Sequence, residues 1–599
     1  GYSLDKLDTV GYVLDPRFHA HGVAVCYPGG HTEFRTDVQA LLCELRQAYG
    51  ENLERVAVVM HNACFDYFIL RHRYGLKIAH VSDTMLLSRL LHGADEDHSL
   101  RALAARCGLP AKGELDFMKG VLHPDAGQLS RLREYAVNDA AITTGLADIL
   151  VPQAAPHPIE LWAMEHSVKM FVERPLAVDA VTVAAAQTKL ESSITEKVTA
   201  SGLDEKAIRS TKRFPAALEA ALAKTGRHLP TKPGRKGPIP AIAKSDHARD
   251  VMLTDNDPAV RTLMDAKAAL SSASGSRGRL TRLADMARVT GGNGHFQHSY
   301  HRAGTGRYAG ADGFNIQNLK HGGGEDSDVA SLIRRAIGVL PGTVLVSADA
   351  SQIEARVLAH LAGQTDLHDA FAQGRDVYSE FASKQFCREV RKPKDGDASE
   401  YAAELKRYRQ IGKQAILGLG YGMGAGGFIR TSRSKPDLAG LFDSGILDDA
   451  TCASIVHGYR DSYPEITRFW GDCEDAVRGT MGGTQADVSG TMFRVRDGTL
   501  LITLPSGRNL VYPRIREEAP TYEAIEYLDR SGVKQSCCDD RPGIVYGDGH
   551  DLYGGKIVEN IVQAFSRDLL VEAMYRLEAA GLRIIHHCHD SITAAVPAD

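Results

Sequence analysis

The stretch TVLVSADASQIEARVLAHLAG, residues 343–363, joins an apolar run to an amphipathic one through a single carboxylate. Val344, Leu345 and Val346 read as a buried strand ending at Asp349, while Ile353, Val357, Leu358 and Leu361 recur at helical spacing. A strand-to-helix junction is a rigid mount, which suits a group that must stay still while it binds an ion. In RIIHHCHDSITAAV, residues 583–596, two short apolar stretches flank His589, Asp590 and Ser591 and predict a hairpin whose tight turn presents Asp590. Each aspartate alone reads as an ordinary turn or cap residue. Together they suggest a phosphoryl-transfer site, because two divalent ions about 3.5–4 Å apart and bridged by carboxylates activate an attacking oxygen and stabilise a leaving one.

RYRQIGKQAILGLGYGMG, residues 407–424, supplies the matching half. Arg409, Lys413, Leu417 and Tyr421 recur every four residues and so share one helical face. Two cations followed by an apolar and an aromatic group suit a triphosphate whose base is stacked. The plain alternative is an amphipathic surface helix. Gly412, Gly418, Gly420 and Gly422 make that helix poor on propensity, so something other than local stability selects the segment.

With these motifs in place the chain resembles a family-A DNA polymerase and is similar to the bacteriophage-type members. DASQIEAR (349–356) resembles motif A, RQIGKQAILGLGYG (409–422) motif B and CHDS (588–591) motif C. TGRYAGADGFNIQNL (305–319) resembles the stretch that grips primer-template DNA, and LPSGRNLVYPR (504–514) and YGGKIVENIVQAFSRDLLVEAM (553–574) resemble late segments of the phage-type branch. The motifs follow the family's order along nearly the whole chain.

The resemblance implies that Asp349 and Asp590 bind two Mg²⁺ ions, with Mn²⁺ as a substitute. It implies that Arg409 and Lys413 hold the incoming triphosphate and that Lys413 protonates the departing pyrophosphate. Glu354 becomes a steric gate against ribonucleotides, Gln352 and Leu417 adjoin the nucleotide, and Tyr421 stacks near the templating or incoming base. Arg307 and Gln563 follow the minor groove near the primer end, Asn315 and Gln317 contact DNA backbone, and His589 also falls on the DNA side. Three departures stand out. Leu417 replaces a usual Phe or Tyr, Tyr378 in GRDVYSEFA stands where a phosphate-contacting His is common, and Ser591 replaces the acid after the motif C aspartate.

The first ~150 residues alternate short apolar strands and helical segments in α/β fashion. HNACFDYFILRHRYG with Asp66, and REYAVNDAAITTGL with Tyr135 and Asp139, resemble the second and third motifs of a DEDDy-type 3′–5′ exonuclease, and VSDTMLLSRLLHGADEDHSLRALAARCGL between them fits the same domain. The YxxxD spacing puts Tyr135 and Asp139 one helical turn apart, where a phenol orients water beside a metal-binding carboxylate. The first motif of that family, a DxE, is absent from the opening GYSLDKLDTVGYVLDPRF, and Asp5, Asp8 and Asp15 are too loosely placed to replace it. The chain also stops at Asp599, soon after motif C. Both termini therefore read as cut, and the expectation is an N-terminal domain that retains its fold in part, with a damaged edge strand and little or no 3′–5′ exonuclease activity, and a palm of reduced stability.

Composition adds bounds. A length of 599 residues implies several domains, and a net charge of −5 does not announce a nucleic-acid partner. Residues 201–240 hold nine Lys or Arg against three Asp or Glu, including Lys232, Arg235 and Lys236. Arg277, Arg279 and Arg282 follow in SSASGSRGRLTRL, which reads as a Ser/Gly loop at a thumb tip that contacts phosphates, with a solvated linker as the alternative. Ten cysteines without CxxC spacing, Cys537 and Cys538 among them, give no zinc or disulfide framework and fit a reducing compartment, and the family resemblance implies the cytoplasm of a bacterium or phage-infected host. HHCHD resembles a metal cluster, but neighbouring strand residues point to opposite faces. No apolar run reaches the ~18 residues of a membrane span.

The expected fold is a multidomain α/β and α+β chain: an RNase H-like exonuclease-like domain (1–152), a helical thumb (153–290), a right-hand palm in two parts (291–372 and 554–599) and fingers between them (373–553). The expected activity is template-directed DNA synthesis on primer-template DNA from dNTPs, with no membrane partner and any processivity partner unspecified. Two alternatives remain: a single-subunit RNA polymerase, in which Glu354 and an exonuclease-like domain are not expected, and a catalytically impaired primer-template binding protein.

Overall fold

The computed structural model describes residues 3–598 apart from 5, 235–236, 244–245, 320–327, 520–523, 530–532 and 539–540. Asp5, Arg235 and Lys236 thus lie outside the described residues, as do the side chains of Cys537 and Cys538.

The N-terminal region is α/β. Strands Val58–Met60 and Val81–Asp83 pair in parallel, joined through helix Ala63–Tyr74, while Val23–Cys26 and Thr32–Arg35 form an antiparallel pair. Helix Ala126–Ala154 is started by a capping box in which Asp125 and Gln128 satisfy each other's backbone N–H groups. Its buried Ile142, Leu146 and Leu150 join Tyr67, Phe68 and Leu87 in one apolar core. That core runs on without a break into helix Pro158–Glu173 through Met164 and Phe171.

The SSASGSRGRLTRL segment is not a loop. It lies inside the helix Pro258–Thr290, which packs along helix Ala180–Ala200. Leu270, Ala273, Leu280 and Leu283 are buried at helical spacing, so packing of an apolar face overrides the weak propensity of Gly275 and Gly278. Part of the basic charge is also committed: in this helix Arg277 pairs with Glu191 and Arg282 with Asp8, and in the preceding stretch Lys232 pairs with Asp246.

The palm is a three-stranded antiparallel sheet in the order Thr343–Asp349, Ser591–Pro597, Arg583–Cys588. Helix Gly554–Ala579 packs on its hairpin and on helices Ile353–Ala362 and Pro464–Met481. The Thr343–Asp349 strand was expected to be buried and is not. Val344, Leu345 and Val346 are 43%, 47% and 54% exposed, because the strand is the sheet's edge and, among the described residues, no layer covers it.

A buried ionic knot fastens the palm to the preceding helix. Glu160 accepts from Arg567 and from the Tyr300 hydroxyl, and Arg508 pairs with Asp568 at 2.9 Å. Arg567 holds the Glu160 carboxyl down to about 2 against the opposing effect of burial. Among the described residues no helix is long and apolar enough to cross a membrane.

Candidate active site

Antiparallel pairing brings the two predicted aspartates together. Asp349 is in register with Ser591, and the Ala350 N–H donates to the Asp590 carbonyl at 2.8 Å. Cys588 and Ser591 close a two-residue turn of His589 and Asp590, with His589 at φ +52°. Ser591 braces that turn, its hydroxyl donating to the Cys588 carbonyl at 3.0 Å. Burial and the neighbouring Asp349 charge both push the Asp590 carboxyl above its ordinary range. Two like-charged, hard oxygen donors at a rigid junction are a donor set that fits a divalent cation such as Mg²⁺.

His586 and His587 serve packing. The strand shifts register between Ile584 and His586, so both rings reach His298, which shares a 2.8 Å hydrogen bond with His586 and lies 4.7 Å from the His587 ring centre. Among the described residues no group of three or more His, Cys, Asp or Glu is arranged to hold a metal.

Helix Ser399–Gly418 presents Arg409, Lys413 and Leu417. Lys413 is exposed, and Leu417 is 41% exposed. Arg409 is held in place by Asp376, which accepts from its Nε at 2.8 Å and its Nη2 at 3.1 Å, and it sits 5.3 Å from the centre of the Tyr378 ring. Tyr378 was expected as a phosphate contact. It is 4% exposed, so it supports Arg409 from inside the core, and burial pushes its phenol up.

The helical face stops short of Tyr421. The α-helix ends at Gly418, and Tyr421 closes a 3₁₀ turn, Leu419–Tyr421, that leads into Gly422 at φ +77°. The glycines answer to packing. A Cβ on Gly412 would stand 2.1 Å from the Tyr378 carbonyl oxygen, and one on Gly420 would stand 2.6 Å from Leu358. Gly412→Ala is therefore expected to push the helix off Val377–Phe386, costing about 1–3 kcal/mol of stability. Gly471→Ala, inside the helix Pro464–Met481, where a Cβ meets nothing within 4 Å, is the matched control. Thermal melts of the pair check this, and equal behaviour would refute it.

A cleft of ≈ 950 Å³ opens beside this helix, lined by Glu354, Leu417, Tyr421, Arg460, Tyr553 and Gln563 among others. Glu354 accepts a hydrogen bond from Arg307. Arg307 also lies within the electrostatic reach of Asp590 and Tyr421, which ties the cleft to the paired aspartates. Gln563 donates to Glu559 at 3.0 Å. Gln352 sits at φ +52° at the start of helix Ile353–Ala362 and accepts from Ser351 at 3.1 Å. Burial lowers the His589 imidazole's proton affinity.

The 305–319 segment is anchored from behind. Asn315 accepts from the Gln317 backbone at 3.0 Å, while Gln317, expected on DNA, is buried and donates its amide to the His587 carbonyl at 3.2 Å. It fastens the segment to the motif C hairpin, because a buried amide must be hydrogen-bonded. Asp312 accepts from the Thr9 N–H at 2.9 Å, so the N-terminal region also braces this segment.

Asp66, Tyr135 and Asp139 lie near one another in the N-terminal region, and the structure adds two residues that the motifs did not signal. Lys112 donates to Asp139 and, at 2.7 Å, to the Tyr135 hydroxyl. Asp83 caps helix Thr84–His92 and accepts from the N–H groups of Asn62, Ala63, Met85 and Leu86. Asp66 is solvent-accessible, yet crowding by protein and by the Asp83 and Asp139 charges raises its carboxyl above the ordinary range. Asp8 caps the helix Thr9–Val13, and Asp15 pairs with Arg17, so neither joins this group.

Residues 182–487 match DNA polymerase family A, and residues 37–155 match the 3′–5′ exonuclease family. A DNA polymerase of Bacillus phage SP02 is 24% identical over 92% of the chain and 84% of its own length. The DNA polymerase I of Rhizobium leguminosarum is 26% identical over 75% of the chain, which spans 44% of that protein. Among solved structures, the POL domain of Pol1 from M. smegmatis, in complex with DNA primer-template and dNTP, superposes with a TM-score of 0.63 at 19% identity, covering 96% of this chain and 86% of that one.

Proposed function

The chain belongs to DNA polymerase family A and is a DNA-directed DNA polymerase; we propose that its cleft binds primer-template DNA and a dNTP and joins them at Asp349 and Asp590. The reading rests chiefly on one observation: strand pairing holds these two carboxylates side by side, next to a cleft that ends in Arg307 and Glu354. Family-A polymerases use divalent metal ions, and Asp349 and Asp590 are the residues that would hold a pair of Mg²⁺ here. When bound, such ions activate the primer 3′-oxygen and stabilise the charge that leaves with pyrophosphate.

The remaining work falls to the chain. Arg409 and Lys413 neutralise the triphosphate and hold the α-phosphorus in line with the attacking oxygen. The Lys413 ammonium is also the proton donor to the departing pyrophosphate. Glu354 walls off the space at the sugar C2′, with Arg307 fixing its rotamer. Tyr421 and Leu417 form the apolar floor for base and sugar, and Gln352 flanks the nucleotide. Arg307, Gln563, His589 and Asn315 face the duplex. The domain limits set out from sequence are retained as a proposal, as is a place in the cytoplasm.

The direct test is a 5′-labelled primer-template incubated with Mg²⁺ and either dNTPs or rNTPs. Extension to the template end with dNTPs only is expected. No extension would favour an impaired binding protein, and rNTP preference would favour an RNA polymerase.

Leu417 sets a narrower expectation. A tyrosine there would offer a hydroxyl where a nucleotide 3′-OH otherwise sits, and leucine offers none, so the enzyme discriminates against dideoxynucleotides. Leu417→Tyr should relax this by about tenfold or more, roughly the ~1.4 kcal/mol of one hydrogen bond. Equal incorporation ratios in parent and variant would count against it.

The exonuclease-like half is expected to be hydrolytically weak, because Asp139 is paired with Lys112 and Asp83 is taken up by backbone N–H groups. A 5′-labelled single strand with Mg²⁺ or Mn²⁺ and no dNTP should stay intact. Shortening that disappears in Asp139→Ala would overturn this.

A further inference from the structure

Arg508 is 1% exposed and joins two segments that meet at the polymerase cleft. Its Nε donates to Asp568 at 2.9 Å, its Nη2 to the carbonyls of Ala564 at 3.2 Å and Thr305 at 3.0 Å, and its Nη1 to His301 at 3.3 Å. Ala564 and Asp568 lie on the helix Gly554–Ala579, beside Gln563, whereas His301 and Thr305 lie on the turn that leads into Arg307. That turn is closed on itself, since the Gly306 N–H donates to the Ala303 carbonyl at 2.8 Å and the Arg302 N–H to the Arg307 carbonyl at 3.1 Å. Gly306 stands at φ +84°, and a Cβ there would lie 2.5 Å from Arg508 Nη1, so only glycine lets the guanidinium rest against the turn. On the far side of Arg307, Tyr308 is buried, its ring centre 5.3 Å from the Arg567 guanidinium and 4.3 Å from the His587 ring centre. Arg307 thus leaves a backbone that is pinned on both sides, and its guanidinium ends on Glu354.

We propose that Arg508 is a positioning residue for sugar selection: it locks the Gly306 turn to the helix that bears Gln563, and so aims Arg307 at Glu354 and keeps that carboxylate over the space beside the sugar C2′. The fork of the guanidinium makes the lock. Its donors leave in fixed directions, so bonds to two carbonyls on different segments fix the distance between them, which a single ammonium on a flexible stem does not do. Burial stiffens the lock, because a carbonyl that lost its donor would stay dry and unpaired. Released from Arg307, Glu354 gains rotamer freedom, and a gate that moves aside admits a 2′-hydroxyl while leaving the fit of a deoxy sugar nearly as it was. The proposal rests on Glu354 being that gate.

The test reads a ratio on one enzyme, which cancels any loss of folded protein. Single-nucleotide extension of a 5′-labelled primer-template with Mg²⁺ gives kcat/KM for rNTP relative to dNTP in the parent, Arg508→Lys, Gly306→Ala, Glu354→Ala and Arg508→Lys/Glu354→Ala. Arg174→Lys is the control, because Arg174 also bonds a carboxylate and a carbonyl, those of Glu578 and Ile584, and none of its hydrogen bonds reaches the 301–307 turn. Arg508→Lys and Gly306→Ala are each expected to raise the ratio about tenfold, the scale of one lost hydrogen bond. Glu354→Ala should raise it further, and the double variant no further than Glu354→Ala alone, since both changes act through one carboxylate. Arg174→Lys should keep the parental ratio. A parental ratio in either active single variant of the lock, an equal rise in Arg174→Lys, or a double variant that multiplies the two single rises would overturn the proposal and leave the polymerase reading intact; an inactive Arg508→Lys protein passes the decision to Gly306→Ala. A parent that fails to extend, or a Glu354→Ala ratio equal to the parent's, would instead refute the reading of Glu354 and the proposal with it.

Discussion

Asp349→Ala is expected to lower the rate of primer extension by at least about a thousandfold, roughly 4 kcal/mol of transition-state stabilisation, while primer-template affinity changes little. The aspartate sits on a strand whose other residues are paired along its whole length with Ser591–Pro597, so truncating its side chain removes a charge without disturbing the register. The apo protein should not be weakened. Asp349 raises the Asp590 carboxyl, which is a mark of repulsion between them, so a melt in chelator should show the variant as stable as the parent or slightly more so. Because the two carboxylates act as a unit, Asp349→Ala/Asp590→Ala should lose little beyond either single change. Single-turnover extension and filter binding separate chemistry from affinity. Extension near the parental rate in Asp349→Ala would remove the basis for the assignment.

What the sequence made legible was what local pattern controls. The strand end at Asp349, the amphipathic helix after it and the two-residue turn at Asp590 are written in periods of two and 3.6 and in turn residues, and all three are present. Burial of the Val344–Val346 run was not legible, because apolar alternation does not say which strand will be the edge of the sheet. The Gly275–Gly278 stretch looked like a loop because propensity is local, whereas the Ala180–Ala200 helix that buries its face is distant in sequence. The same limit hid the partners of the site. Asp376 is one residue from Val377 in a segment noticed only for Tyr378, and its carboxylate matters because Arg409 folds onto it. Lys112 lies in a stretch with no motif at all, and only the tertiary fold brings it to Tyr135 and Asp139. Gln317 shows the converse: a motif position expected outside turned out to be an internal tie.

Mild acid should destabilise the polymerase half steeply. His295 and His586 are pushed down to about 4 by burial, and burial drives His298, His301 and His587 lower still. Folded, these five imidazoles are neutral; unfolded, each takes a proton near pH 6.5. The unfolded chain therefore binds more protons below that value, so stability is fully present above about pH 6.5 and is lost as pH falls toward about 4. Each such group contributes up to about 1.4 kcal/mol per pH unit, so five together set a ceiling of roughly 7 kcal/mol per pH unit across that window. Geometry explains why the groups resist protonation: His298 and His586 share one hydrogen bond, His587 lies edge-on to Tyr308 at 4.3 Å, and His301 faces the Arg508 guanidinium at 3.3 Å. A second proton in this cluster would set cations against one another behind the Asp590 turn. The low-set carboxyls of Glu160 and Glu578, both about 2, act in the same direction but only below about pH 4.5. The Asp312 and Asp590 carboxyls, raised in the folded state, act in the opposite direction, so the fall expected in the upper part of the window is the excess of the histidines over them and lies below that ceiling. Urea midpoints at about pH 7.5, 6.5 and 5.5 should fall progressively, with a shallower fall in His301→Asn than in the parent. Midpoints that stay level across that range would show that these imidazoles gain protons without cost.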